Sequence, residues 1–218
     1  MTYDFHTHTL LSDGELLPIE LIRRAFVLGY KAIAITDHVS PSNLESVIAS
    51  ATKDCELAEK HWDIIAIAGV ELTHIPVKAI SKFAKEARKK GAKLVVLHGE
   101  TPIEPVEKGT NYEGLHSDID ILAHPGYLSL EEAEIAYKNN IFIELTKRGG
   151  HSIANNHIAE ICKKANCKLL LSTDAHSEKD LLREGEPRKI CLKLGLGNEI
   201  NRILVENPRS LLKKLGYL

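Results

Sequence analysis

The chain has 218 residues, 28 Lys+Arg against 30 Asp+Glu, 44% hydrophobic and 27% charged, which supports one large folded domain over residues 1–218 and excludes disorder and a coiled coil. A formal charge of −2 with 5% aromatic residues argues against a dedicated nucleic-acid binder, which carries a basic surface and stacking aromatics. No apolar run approaches the roughly 18–20 residues that span a bilayer, and Met1 to Leu10 has neither a basic start nor an apolar signal core, so no membrane partner and a cytoplasmic location are expected. Cys55, Cys162, Cys167 and Cys191 lack CxxC spacing and read as free, buried thiols.

Short apolar, β-branched runs alternate with longer segments of helical period. The first run, Thr2 to Phe5, is followed by a helix near 18–28 that opens on Pro18 and ends at Gly29. Ala32 to Ile35 precedes a helix near 43–60, where Ser42 and Glu45 have capping-box spacing. Ile64 to Val70 leads through Pro76 to a helix near 77–90, closed by Gly91. Leu94 to Leu97 opens onto the segment from Gly99 to Ser117, whose two prolines and three glycines predict a long irregular loop over an active site. Ile119 to Ala123 and a helix near 130–139, with Ser129 and Glu132 in capping-box spacing, come next. Ile141 to Leu145, a helix near 153–165, Lys168 to Leu171, and helices near 187–194 and 208–215 complete the chain. Seven βα units predict an α/β fold: a (β/α) barrel one unit short of eight, or a doubly wound open sheet. Both put ligands at the carboxyl ends of the strands.

Metal-capable side chains recur at those ends. The runs lead in turn into His6 and His8, Asp37 and His38, Glu71, His98, His124, and Asp174 with His176. His6 and His8 are two apart on an extended chain, so both imidazoles project to one side. With Asp13, imidazoles and carboxylates form a mixed N/O set suited to Zn²⁺, Mn²⁺ or Fe²⁺. Nine candidates are too many for one ion, and Glu71 is able to bridge two, which predicts a multinuclear hydrolase.

Asp4-Phe5-His6-Thr7-His8, Ser12-Asp13-Gly14, Ile35-Thr36-Asp37-His38, Gly69-Val70-Glu71, His98, Ala123-His124-Pro125 and Thr173-Asp174-Ala175-His176 together resemble the PHP family, the polymerase and histidinol phosphatase superfamily. The resemblance implies a distorted seven-stranded (β/α)7 TIM-like barrel and a stand-alone metal-dependent phosphoesterase with two or three divalent ions. Carried over by position, His6, His8, Glu71 and Asp174 hold one ion, Glu71, His98 and His124 a second, and Asp13, His38 and His176 a third. Position 13 is histidine in some members. The implied chemistry is attack on phosphorus by a metal-bridging hydroxide, with His6, His8, Glu71, Asp174 and His176 as the catalytic set. Asp37 reads either as a carboxylate orienting an imidazole from outside the ligand set or as a loop or helix-capping group.

The sixth run ends in Glu144-Leu145-Thr146-Lys147-Arg148-Gly149-Gly150-His151, where Arg148 suits bidentate phosphate contact. Lys147 and His151 are further substrate candidates, and His61, His116 and His157 read as surface residues. The expected substrate is a small phosphorylated metabolite, cleaved in the manner of a histidinol phosphatase. The alternatives are a phosphodiesterase or 3′-exonuclease on nucleotides, and an amidohydrolase, a family that commonly places a lysine where this chain has His98.

Overall fold

The computed structural model describes residues 2–218, in which parallel strands alternate with helices around a nearly closed barrel. The strands are β1 (Thr2–Asp4), β2 (Tyr30–Ile35), β3 (His38–Val39), β4 (Ile65–Leu72), β5 (Leu94–His98), β6 (Ile121–Ala123), β7 (Phe142–Thr146) and β8 (Lys168–Ser172). Seven of them run in the order β1-β2-β4-β5-β6-β7-β8, and the two-residue β3 carries the line of β2 further along β4. The helices are α1 (Pro18–Val27), α2 (Leu44–His61), α3 (Ile80–Lys89), α4 (Thr110–Leu115), α5 (Leu130–Lys138), α6 (Asn155–Ala165), α7 (Glu186–Lys193) and α8 (Asn207–Lys214). This is the distorted seven-stranded TIM-like barrel that the sequence predicts, and the open sheet is set aside.

Strand alternation builds two apolar layers, because successive side chains leave opposite faces. Tyr3, Phe5, Ala32, Ala34, Ile67, Leu94, Val96, Ile121, Ala123, Phe142 and Leu170 fill the barrel, packed against Leu211 and Leu212 of α8. The intervening Ala66, Val70, Val95, Leu97, Leu122, Ile143, Leu145 and Leu169 face outward into the helices. A parallel sheet buried on both faces needs such runs. Helix α8 covers the amino ends of the strands: its Asn207 donates to the Leu169 carbonyl at 2.8 Å, and Lys214 reaches Asp120, just before β6, at 2.9 Å.

The first and last strands meet through a short seam rather than a full ladder. His8 donates its N–H to Ala175 at 2.8 Å, Asp174 donates to His6 at 3.0 Å, and the Asp4 carboxylate accepts from the Thr173 amide and hydroxyl at 3.1 and 2.6 Å. Burial raises that carboxyl to about 7 even with these donors beside it.

Ser129 and Glu132 form the expected capping box on α5. Ser42 does not cap α2: Asn43 holds the N-cap position, its side chain accepting from Ser40 N–H and donating to the His38 carbonyl. Pro76 precedes a 3₁₀ turn, Val77–Ala79, so α3 begins three residues later than its period suggests. Helix α4 lies inside the segment expected to be loop. Among the described residues no helix is long and apolar enough to cross a membrane.

Candidate metal centre

The rim of the barrel is where the inward-facing positions turn from apolar to ionisable. On β4 the inward series ends at Glu71, on β5 Leu94 and Val96 are followed by His98, and on β7 Phe142 is followed by Glu144. On the first strand the parity breaks: Tyr3 and Phe5 point into the barrel, yet His6 and His8 also reach the central cluster. Their rings lie 5.0 Å apart, on one side as their spacing requires.

All nine predicted metal-capable residues converge. His6 Nε2 is 3.2 Å from Glu71 and 3.9 Å from Asp174; His8 Nε2 is 3.2 Å from Asp174 and 3.7 Å from Glu71. His124 Nε2 lies 3.6 Å from Glu71 and 3.8 Å from Asp174, and His98 groups with Glu71 and His124. Asp13 sits 3.2 Å from His176 and 3.6 Å from His38, with His8 in the same group.

Several imidazoles have one nitrogen tied away from the cluster, which aims the other inward. His6 Nδ1 is 2.7 Å from Glu144, His98 Nδ1 3.2 Å from the Gly99 carbonyl, and His176 Nδ1 2.9 Å from the Asp174 carbonyl. His38 is the exception, its Nδ1 2.7 Å from both Thr73 and the cluster's own Glu71 while its Nε2 faces Asp13 at 3.6 Å. Several atoms of the cluster are poorly satisfied: His6 Nε2, both ring nitrogens of His8, Glu71 Oε1 and His124 Nδ1 are buried without a hydrogen-bond partner. Buried polar atoms are normally paired, so this cluster of orphans fits a site for divalent cations. Six imidazoles and three carboxylates are also the right donors for Zn²⁺, Mn²⁺ or Fe²⁺.

Electrostatics agree. Burial raises Glu71 and Asp174, but His6 foremost among the surrounding imidazoles outweighs it and holds both below the usual carboxylate range. Burial pushes His8 down to about 4, while Glu71 and Asp13 overcome burial at His38 and hold it up at about 10. Backbone strain collects here as well. The non-glycine residues of positive φ are Asn140 and Asn166, where asparagine suits a turn after a helix, and His74, His124 and Asp174.

The substrate candidates divide. The Arg148 guanidinium lies 3.7 Å from an Asp174 carboxylate oxygen and 3.3 Å from its carbonyl, beside a cavity of about 230 Å³. His151 stacks on His124 at 4.3 Å, its Nδ1 2.7 Å from Thr101. The Lys147 ammonium instead holds the Leu181 carbonyl and Glu186, at 3.3 and 3.4 Å, and tethers a loop. Asp37 touches no imidazole; it accepts from Thr9 N–H, Thr9 hydroxyl and Ser12 hydroxyl at 2.6–2.7 Å, ordering the turn that carries Asp13. Its loop role is therefore the one seen. His61 and His116 are exposed, whereas His157 is half-buried on the Leu128 carbonyl at 2.7 Å.

Two carboxylates escaped the sequence reading. Glu144, fully buried on β7, holds His6, and its place in an otherwise apolar strand was the available signal. Glu104 hangs from the loop after β5, 3.1 Å from His98, 3.4 Å from His74 and 3.4 Å from His151. No periodicity marks a loop residue of this kind.

Comparison with known proteins places this site in context. The chain is 50% identical over 218 residues to an uncharacterized protein of Methanocaldococcus jannaschii, covering 99% of this chain and 100% of that one. It is 24% identical over 227 residues, 92% of each chain, to a Clostridium botulinum protein named "Probable phosphatase". Among solved structures, a chain of archaeal ribonuclease P with mature tRNA shares the fold at TM-score 0.70 and 18% identity, covering 98% of this chain and 92% of that one. So does histidinol phosphate phosphatase of Lactococcus lactis with zinc, L-histidinol and phosphate, at TM-score 0.59 and 16% identity, covering 100% and 94%. The PHP domain pattern matches residues 4–215, which with the ordered strand-end residues establishes that this chain belongs to the PHP domain family.

Proposed function

We propose that this protein is a metal-dependent phosphoesterase acting as a phosphomonoesterase on a small phosphorylated metabolite, in the manner of a histidinol phosphatase. The observation that carries the reading is the convergence of nine metal-capable donors, among which His6 Nε2, both ring nitrogens of His8 and Glu71 Oε1 are buried without a hydrogen-bond partner. His6, His8, Glu71 and Asp174 would hold one divalent ion, Glu71, His98 and His124 a second, and Asp13, His38 and His176 a third. Such ions supply an activated water at neutral pH and neutralise charge on the phosphoryl oxygens.

The protein's own part is positioning. Glu144 keeps the proton of His6 on Nδ1, so that Nε2 faces the centre. Asp37 braces the Thr9–Ser12 turn and so the approach of Asp13. Arg148, half-buried beside Asp174, receives phosphate oxygens through its planar fork. His151, held by Thr101 and stacked on His124, is the second substrate-contacting candidate beside the centre.

A nucleotide phosphodiester is the second reading. Tyr127, three residues beyond His124 and 66% exposed, offers a ring on which a base stacks.

Protein loaded anaerobically with Mn²⁺ should release phosphate from phosphomonoesters, histidinol phosphate among them, and His8→Ala should lose turnover by roughly a thousand-fold. Cleavage confined to cyclic phosphates or short oligonucleotides would select the second reading. If metal-replete protein cleaves neither class, both readings fall.

A further inference from the structure

We propose that His74, His98 and Glu104 form a loading site through which divalent cations enter the buried centre, an inference that rests on reading the inner cluster as metal-binding. The three residues come from the turn after β4, the end of β5 and the loop that follows it. Glu104 Oε2 lies 3.4 Å from His74 Nε2 and 3.1 Å from His98 Nε2, so a nitrogen, a nitrogen and an oxygen face one point. That donor set suits the same borderline ions as the inner cluster. None of the roles assigned to the nine inner residues uses His74 or Glu104.

Burial grades along the path. The His74 side chain is 43% exposed and Glu104 34%, while His98 is 3% exposed and Glu71 fully buried. Water and ions therefore reach the outer pair directly, and the Glu71, His98 and His124 group lies next to it; Asp13 and His38, 53% and 27% exposed, open a separate approach to the third group. The His74 ring sits 5.2 Å from His98, which sits 4.5 Å from His124, a continuous line from solvent to centre.

His98 is the shared member, and its chemistry makes the two groups alternatives. Its Nδ1 faces the Gly99 carbonyl at 3.2 Å and carries the proton, which leaves Nε2 as its one lone pair. That nitrogen serves either Glu104 and His74 or Glu71 and His124, not two ions at once. An ion held first at the rim keeps its bond to His98 while it exchanges the outer donors for the inner ones.

The outer donors are also held in place. His74 adopts φ 51°, a positive value uncommon outside glycine, as do the inner His124 and Asp174. The loop bearing Glu104 is pinned by Glu100, whose carboxylate accepts the N–H groups of Gly109 and Asn111, both at 3.0 Å.

Stopped-flow uptake of Co²⁺ by metal-free full-length protein, followed through the d–d absorption of the bound ion, tests the assignment. Glu104→Gln and His74→Asn should each slow uptake roughly ten-fold or more, since an anionic, donor-lined cleft raises capture rates by at least that factor. Final absorption and the number of ions bound at equilibrium should match the unaltered protein. An unchanged rate overturns the proposal, and faster uptake does too, because the pair would then be a latch across the entrance. A lower final ion count places Glu104 or His74 among the resident ligands and overturns it equally. If the unaltered protein takes up no Co²⁺, the metal-centre reading itself fails and the loading site with it; normal uptake with unaltered variant kinetics removes the loading site alone.

Discussion

The two ends of one barrel show opposite physical organisation within a few residues of each strand. Toward the amino ends, Phe142, Leu94, Ile121 and Leu170 pack against one another and against α8, and a buried carboxylate there, Asp120, accepts the Val95 N–H at 3.0 Å and pairs with Arg88 and Lys214. Two to four residues further along the same strands stand Glu144, His98, His124 and Asp174, in a cluster where buried nitrogens and oxygens go unpaired and backbone φ turns positive. The lower layer supplies the hydrophobic free energy that holds the barrel. The upper layer spends part of it keeping charged and dipolar groups out of water until something binds them.

This contrast is open to direct attack, most strongly from below. Phe142→Ala removes a fully buried ring from the lower layer and should cost about 3–5 kcal/mol in denaturant melts. Its ion stoichiometry should stay that of the unaltered protein; loss of ions would show that the halves act as one unit. Glu144→Gln attacks from above, by weakening the acceptor that fixes the His6 tautomer. It should lower metal affinity roughly 10–100-fold in chelator competition, and the metal-free protein should also lose stability, since Glu144 is the leading charge partner of the buried His6. Unchanged affinity would mean that His6 needs no such partner. Ser129→Ala sits outside both layers and should cost about 1 kcal/mol through the lost capping box on α5, with metal affinity unaltered. A change in affinity there would make the helix shell part of the site.

The same contrast explains what could be read from the chain. The seven strands were legible because both faces of a parallel sheet are apolar, and eight of the nine donors because each follows such a run, Asp13 being read from the Ser12-Asp13-Gly14 segment instead. Strand β3, only two positions long, and the six-residue α4 were not, since neither spans enough of a period to register. Ser42 shows the limit of spacing as a guide: the Asn43 amide bonds to His38 and Ser40, and that turn places the helix start one residue on. Lys147 shows another, because loop position gave no hint that its ammonium would be taken by Leu181 and Glu186. Glu104 is the hardest case, as only folding brings its loop to three histidines.

The seam between β1 and β8 has a consequence for how the molecule is made. Asp4 and Thr173 are 169 residues apart, so their contact is among the most non-local in the chain and is slow to form on topological grounds. During synthesis His6 and His8 emerge early, beside a strand edge that has no partner until Asp174 and His176 follow. Metal capture at full strength thus waits on the arrival of the last strand, and a nascent or truncated chain holds only a fraction of the donors. A bound cation would then serve the cell as a marker of a finished fold, and protein that stalls before β8 docks would be left metal-poor, open-edged and exposed to proteolysis.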